Sequence, residues 1–161
     1  MPVSIREAVA DDSPAACQVL RRSITELCGA DHGNDPEILR RWLANKTPVI
    51  VASWITSPDN SVLVAVEGHT IRAVGSVTDA GEITLCYVSP NARFRGVSRA
   101  LLGAPESRAA ERGNARCTLH STLTARRFYR AAGYGEDGPP DGKFGARGGL
   151  PMSKQLVPPQ P

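Results

Sequence analysis

Two β-rich runs, "EITLCYVS" (Glu82–Ser89) and "ARCTLHS" (Ala115–Ser121), are separated by a single helical segment. That spacing constrains the chain more than any other feature. Two strands joined through one helix lie parallel in one sheet, and the crossover is right-handed. In an open sheet of this kind ligands bind beyond the strand ends, where neighbours diverge. The reading predicts that these two strands splay near Tyr87 and His120.

The remaining segments complete a mixed sheet. "VSIREAV" (Val3–Val9) alternates as a strand. "DDSPAACQVLRRSITELC" follows as a helix, with Asp12 or Ser13 as N-cap and Pro14 early. "GADHGND" reads as a turn-rich loop, after which Asp35 caps a second helix through "PEILRRWLANK" that Pro48 ends. "SVLVAVEG" and "TIRAVGSVT" form an antiparallel hairpin around Gly68. A helix from about Val97 to Arg112 stops at Gly113, and "LTARRFYRAAG" is a short helix closing at Gly133. Pro105 falls inside the longer helix, where it removes a backbone bond and is expected to kink or break it. Gly135–Gly149 reads as a long loop, and "LPMSKQLV" as a last strand. The order β-α-α-β-β-β-α-β-α-β is that of an α/β (α+β) fold, a mixed sheet with helices on both faces. One domain over residues 1–157 is expected, with 158–161 as a flexible tail.

Composition narrows the function classes. An apolar fraction of 41% and a charged fraction of 22% are those of a soluble globular chain. No apolar run approaches a membrane span, and "MPVSIREAVADD" has neither the basic start nor the apolar stretch of a signal peptide. A cytoplasmic location with no membrane partner is expected. Cys17, Cys28, Cys86 and Cys117 are widely spread without C-x-x-C, so they read as buried small hydrophobes, and no metal is expected.

Net charge is only +3, but its distribution is uneven. Asn91–Tyr134 holds nine arginines against two glutamates, a local excess of +7, so the rest of the chain carries −4. Arginine is suited to forked contacts with phosphate. Within this stretch "ARFRGVSRALL" places Arg93, Arg95 and Arg99 around Gly96 and then turns helical. A strand, a glycine turn and a helix start leave backbone N–H groups pointing outward, which with the helix dipole make an anion site.

The stretch Arg93-Phe94-Arg95-Gly96-Val97-Ser98 resembles motif A of the GNAT acetyltransferases, Q/R-x-x-G-x-G/A. "LHSTLTARRFYRAAGY" (Leu119–Tyr134) resembles the fifth strand and fourth helix of the same family, in the right order and spacing. Ser98 stands where glycine or alanine is preferred, and Thr122 and Thr124 replace the more usual serine and asparagine. The resemblance implies the GNAT fold, with its splay between strands 4 and 5, and acetyl-CoA as cosubstrate. It further implies direct acetyl transfer to a primary amine of a small molecule or protein.

It also implies site residues. Arg93, Phe94, Arg95, Gly96, Val97, Ser98 and Arg99 would wrap the pyrophosphate, and the backbone at Tyr87 and Val88 would hold the acetyl and pantetheine. Thr122, Ala125 and Tyr129 would flank the cofactor arm, with Tyr129 as general acid. The general base is left open: Glu82, at the start of the fourth strand where some relatives carry a base glutamate, and His120, Glu26, Asp31 and His32 are the candidates, with a water chain as the alternative. The acceptor would be set by loops at Gly29–Pro36 and Gly135–Gly149, whose mixed charge names no class. A catalytically silent acetyl-CoA-binding module is the alternative. A nucleic-acid-binding domain is weaker, because Phe94, Phe128, Tyr129 and Tyr134 form no stacking series. Homodimerisation is left open.

Overall fold

The computed structural model describes residues 2–92, 96–142 and 148–156. The expected phosphate contacts Arg93, Phe94 and Arg95, and the expected tail at 158–161, lie outside the described residues.

Seven strands form one sheet in the order β1-β2-β3-β4-β5-β7-β6. Strand β1 (Val3–Glu7) pairs antiparallel with β2 (Asn60–Glu67), and β2 with β3 (Thr70–Thr78). Strand β3 pairs antiparallel with β4 (Glu82–Val88), and β4 runs parallel to β5 (Arg116–Ser121), as the single crossover requires. Beyond β5 come β7 (Leu150–Gln155) and the two-residue β6 (Gly135–Glu136), both antiparallel to their neighbours. The hairpin at Gly68 forms as expected, with that glycine at φ 64°.

Each face of the sheet carries helices. On one, α1 (Ser13–Leu27) and α4 (Pro48–Thr56) bring Leu20 and Val51 onto Val62, Val64, Val74 and Leu85. On the other, α5 (Val97–Glu111) lays Leu101 against Ala65 and Ala73, and Leu102 and Ala109 near Val77 and Leu119. Helix α6 (Arg126–Ala131) joins the second face through Tyr129.

Three local expectations are corrected. The "GADHGND" segment contains a helical turn, α2 (Gly29–His32), pinned by His32, which bonds the Ile24 carbonyl at 2.9 Å and the Asn34 N–H at 2.9 Å. The second helix, α3 (Pro36–Leu43), is capped by Asp35 but stops short of Lys46. Pro48 does not end it; it opens α4 as a first-turn residue, with Thr47 accepting from the Ile50 N–H. Pro105 does not break α5, which runs unbroken from Val97 to Glu111 with the proline buried. Among the described residues no helix is long and apolar enough to cross a membrane, and no cluster of three metal-ligating side chains occurs.

Candidate active site

Strands β4 and β5 are paired only at Glu82–Thr118 and Ile83–Leu119. Beyond these pairs β4 stays with β3 as far as Val88, and β5 stays with β7 as far as Ser121. The strands part at His120 on β5, as expected, but already at Thr84 on β4, short of Tyr87. A bulge is the cause. Ser76 faces Leu85 while the next residue, Val77, faces Ile83, so Thr84 is one residue extra on β4. Its hydroxyl meets that of Ser76 at 2.5 Å. The gap opens a cleft of about 520 Å³.

Helix α5 starts in the wall of that cleft. Its first helical bond runs from the Ala100 N–H to the Gly96 carbonyl, so the N–H groups of Val97, Ser98 and Arg99 have no partner within the helix. Gly96 takes φ +74°, and a Cβ built there meets no described atom within 4 Å. The turn is therefore left-handed, bare and open, a surface that a phosphate can approach closely. Gly96, Val97, Ser98 and Arg99 all line the cleft. The Arg99 guanidinium also donates to the Ala131 carbonyl at 3.2 Å, tying α5 to the end of α6.

Tyr129 lies opposite, buried between Phe128 and Tyr134 in two edge-on ring contacts of 5.3 and 5.7 Å. It also lines the cleft, beside Cys86 on β4. Burial holds its phenol well above the ordinary value, and the neighbouring Cys86 adds to the effect. Burial likewise pushes the Cys86 thiol up to about 11. Cys17, Cys28 and Cys117 are buried as expected, but Cys86 is half-buried, because the departure of β5 uncovers it.

The other expected residues fall as follows. Tyr87 and Val88 sit on the β4 edge that β5 has left and line the cleft. Thr122 lines it too, and its hydroxyl accepts from the Ala125 N–H at 3.0 Å, which sets the start of α6. Ala125 forms part of the same wall. Glu82 stands at the closed, paired end of the strands and is not among the lining residues.

Of the remaining candidate bases, Glu26 is paired with Arg22 at 2.9 Å. His32 has both ring nitrogens engaged. Asp31 accepts from the Leu123 N–H at 2.5 Å, and from the N–H and hydroxyl of Thr124 at 3.2 and 2.5 Å. It fastens α2 to the approach to α6. His120 lines the cleft, with Asp141 Oδ2 3.0 Å from its Nδ1. Sequence reasoning missed Asp141, which lies in a polar loop with no local pattern, and Ser23 and Leu27 of α1, which close the far side.

Solved structures share this architecture. A GCN5-related N-acetyltransferase from Rhodopseudomonas palustris matches with a TM-score of 0.84 at 21% identity, over 97% of each chain. PaiA N-acetyltransferase from Thermoplasma acidophilum, solved in complex with coenzyme A, matches at 0.80 and 17%, over 97% of this chain and 100% of that one. The ribosomal-protein-S18-alanine N-acetyltransferase of Escherichia coli matches at 0.65 and 18%, over 97% and 95%. At such identities the likeness shows the GNAT fold. Residues 37–156, well over half the chain, match the family model of the acetyltransferase (GNAT) domain, and the chain belongs to that family. No curated protein sequence matches it.

Proposed function

We propose that this chain is a cytoplasmic N-acetyltransferase that moves an acetyl group from acetyl-CoA directly to a primary amine. The observation that carries the reading is continuity: the bare helix start at Gly96 and the gap between β4 and β5 belong to one cleft. A ligand with phosphates at one end and a thioester at the other spans the two.

The residues present fit such a ligand. The N–H groups of Val97, Ser98 and Arg99 meet the pyrophosphate and Gly96 leaves the room, while the motif A resemblance is what assigns Arg93, Phe94 and Arg95 to the same phosphates. The uncovered edge at Tyr87 and Val88 offers backbone groups to the amide-rich arm, as an open strand edge does to any extended chain. Thr122 and Ala125 form the facing wall. Bound acetyl-CoA supplies an acetyl group activated as a thioester.

Tyr129 then acts as the acid. Its raised phenol stays protonated throughout the working range, so the hydroxyl points a hydrogen bond at the sulfur and passes its proton as the C–S bond breaks. A phenol less acidic than usual is a modest donor, which sets its effect at the lower end for a positioned acid. Cys86 stays a thiol, since burial keeps it from ionising. Direct transfer assigns it no covalent role. The decisive experiment is thiol release from acetyl-CoA across a panel of small amines, polyamines, aminoglycosides and peptide N-termini. Amine-dependent release is expected for at least one class. Acetyl-CoA binding without release for any class identifies a silent binding module instead.

A further inference from the structure

The cleft has two sides, and the proposed acid occupies only one. Leu119 packs on the face of the sheet that carries α5, together with Tyr129 and Leu102. Side chains alternate along a strand, so Thr118 and His120 point to the opposite face, the one that carries α1. His120 is also the first residue of β5 past the last pair with β4, and it lines the opening.

One edge of its ring faces Asp141. Nδ1 is buried, 3.0 Å from Asp141 Oδ2, while the side chain as a whole is 34% exposed. The exposed part of the ring is therefore the part away from Nδ1, which includes Nε2. Among the described residues Nδ1 has no hydrogen-bond partner, so the contact with Asp141 is one of charge and strengthens when the ring gains a proton. Glu82 shares its sheet face at the closed end, and Asp31 is engaged with Leu123 and Thr124. The β7 partner opposite His120 is Pro151, and Ser23 and Leu27 of α1 are uncharged. Lys143 and Arg147, later in the Asp141 loop, lie outside the described residues.

We propose that His120 is the general base of the transfer, and that Asp141 positions its ring and stabilises the imidazolium. The inference rests on the acetyl-transfer reading above. His120 Nε2 takes one proton from the substrate ammonium, and the freed nitrogen lone pair forms the C–N bond to the acetyl carbon. The C–S bond breaks, its electron pair stays on sulfur, and the Tyr129 hydroxyl supplies the proton there. The second ammonium proton leaves the amide nitrogen for solvent, and imidazolium and phenolate reset by exchange with water. Acid and base thus stand on opposite faces of the sheet, so the amine enters from the α1 side and the cofactor from the α5 side.

The test is the pH profile of kcat/KM for the best amine, in wild type, His120→Gln, Asp141→Asn and Glu82→Gln. A base must be neutral to act, so activity rises with pH through its titration, and histidine titrates within about pH 5 to 8. His120→Gln is expected to lower kcat/KM by roughly 10²-fold to 10⁴-fold and to abolish the acid limb, with acetyl-CoA affinity retained. Asp141→Asn removes the negative charge beside Nδ1 and is expected to lower kcat/KM for the amine while acetyl-CoA affinity is retained. Asp141→Glu, which restores a carboxylate, should recover part of that loss, a response that mere packing would not give. A wild-type profile in His120→Gln overturns the proposal, as does loss of the acid limb in Glu82→Gln alone. Wild-type protein that acetylates no amine removes the enzymatic reading and this one together; transfer at the wild-type rate in His120→Gln removes only this one.

Discussion

Tyr129 shows how one side chain serves packing and chemistry together. Its ring fills the core between Phe128 and Tyr134, while its hydroxyl edge reaches the cleft beside Cys86. The motif "ARRFYRAAG" makes its position legible in the sequence. Its raised phenol was not, because the groups that bury it lie on β4 and past α6, brought together only by folding. Tyr129→Phe keeps the ring contacts and removes the hydroxyl. Turnover should fall about tenfold to a hundredfold, with acetyl-CoA affinity nearly unchanged, as steady-state kinetics and calorimetry would show. Wild-type turnover with chemistry rate-limiting would leave the ring a packing role only. His120 was legible as a candidate, whereas Asp141 was not, since the contact joins residues with no shared local pattern.

Among the elements, those with strong end signals were readable and those without were not. Asp35 announces α3, and its carboxylate accepts from the Glu37 and Ile38 N–H groups at 2.9 and 3.2 Å. Asp35→Ala should cost about 1 kcal/mol, seen as a lower midpoint in urea with an unchanged slope. Helix α4 escaped notice because "PVIVASWIT" is apolar nearly all round and shows no helical stripe, so its Pro48 read as a stop rather than a start. The tight turn from β3 to β4 depends on Gly81, at φ +86°, where an added Cβ would lie 2.8 Å from the Arg116 carbonyl oxygen. Gly81→Ala should destabilise the fold by roughly 1–3 kcal/mol, which thermal denaturation would read directly. It also strains the one place where β4 and β5 remain paired.

At the scale of the whole molecule, the sheet is two antiparallel blocks, β1–β4 and β5–β7–β6, joined by two residue pairs. Everything proposed for function lies where these blocks separate. The single-helix crossover made the parallel junction legible, but its short length was not, since the Thr84 bulge arises from pairing with β3. Contacts distant in sequence then hold the cleft in shape. Asp31 joins α2 to the residues before α6, Arg108 of α5 reaches Glu7 of β1, and Glu106 accepts from Tyr134 and Lys154. The central claim is that the helix start at Gly96 receives the phosphates of acetyl-CoA. Gly96→Asp tests it most directly, because it sets a negative charge where the phosphates would sit, and Gly96→Asn, which carries the same side-chain bulk and backbone strain at φ +74° without the charge, is its control. Calorimetry should show wild type binding acetyl-CoA and the variant about a hundredfold weaker or worse, with circular dichroism unchanged. Equal affinity in a folded Gly96→Asp protein would contradict the account.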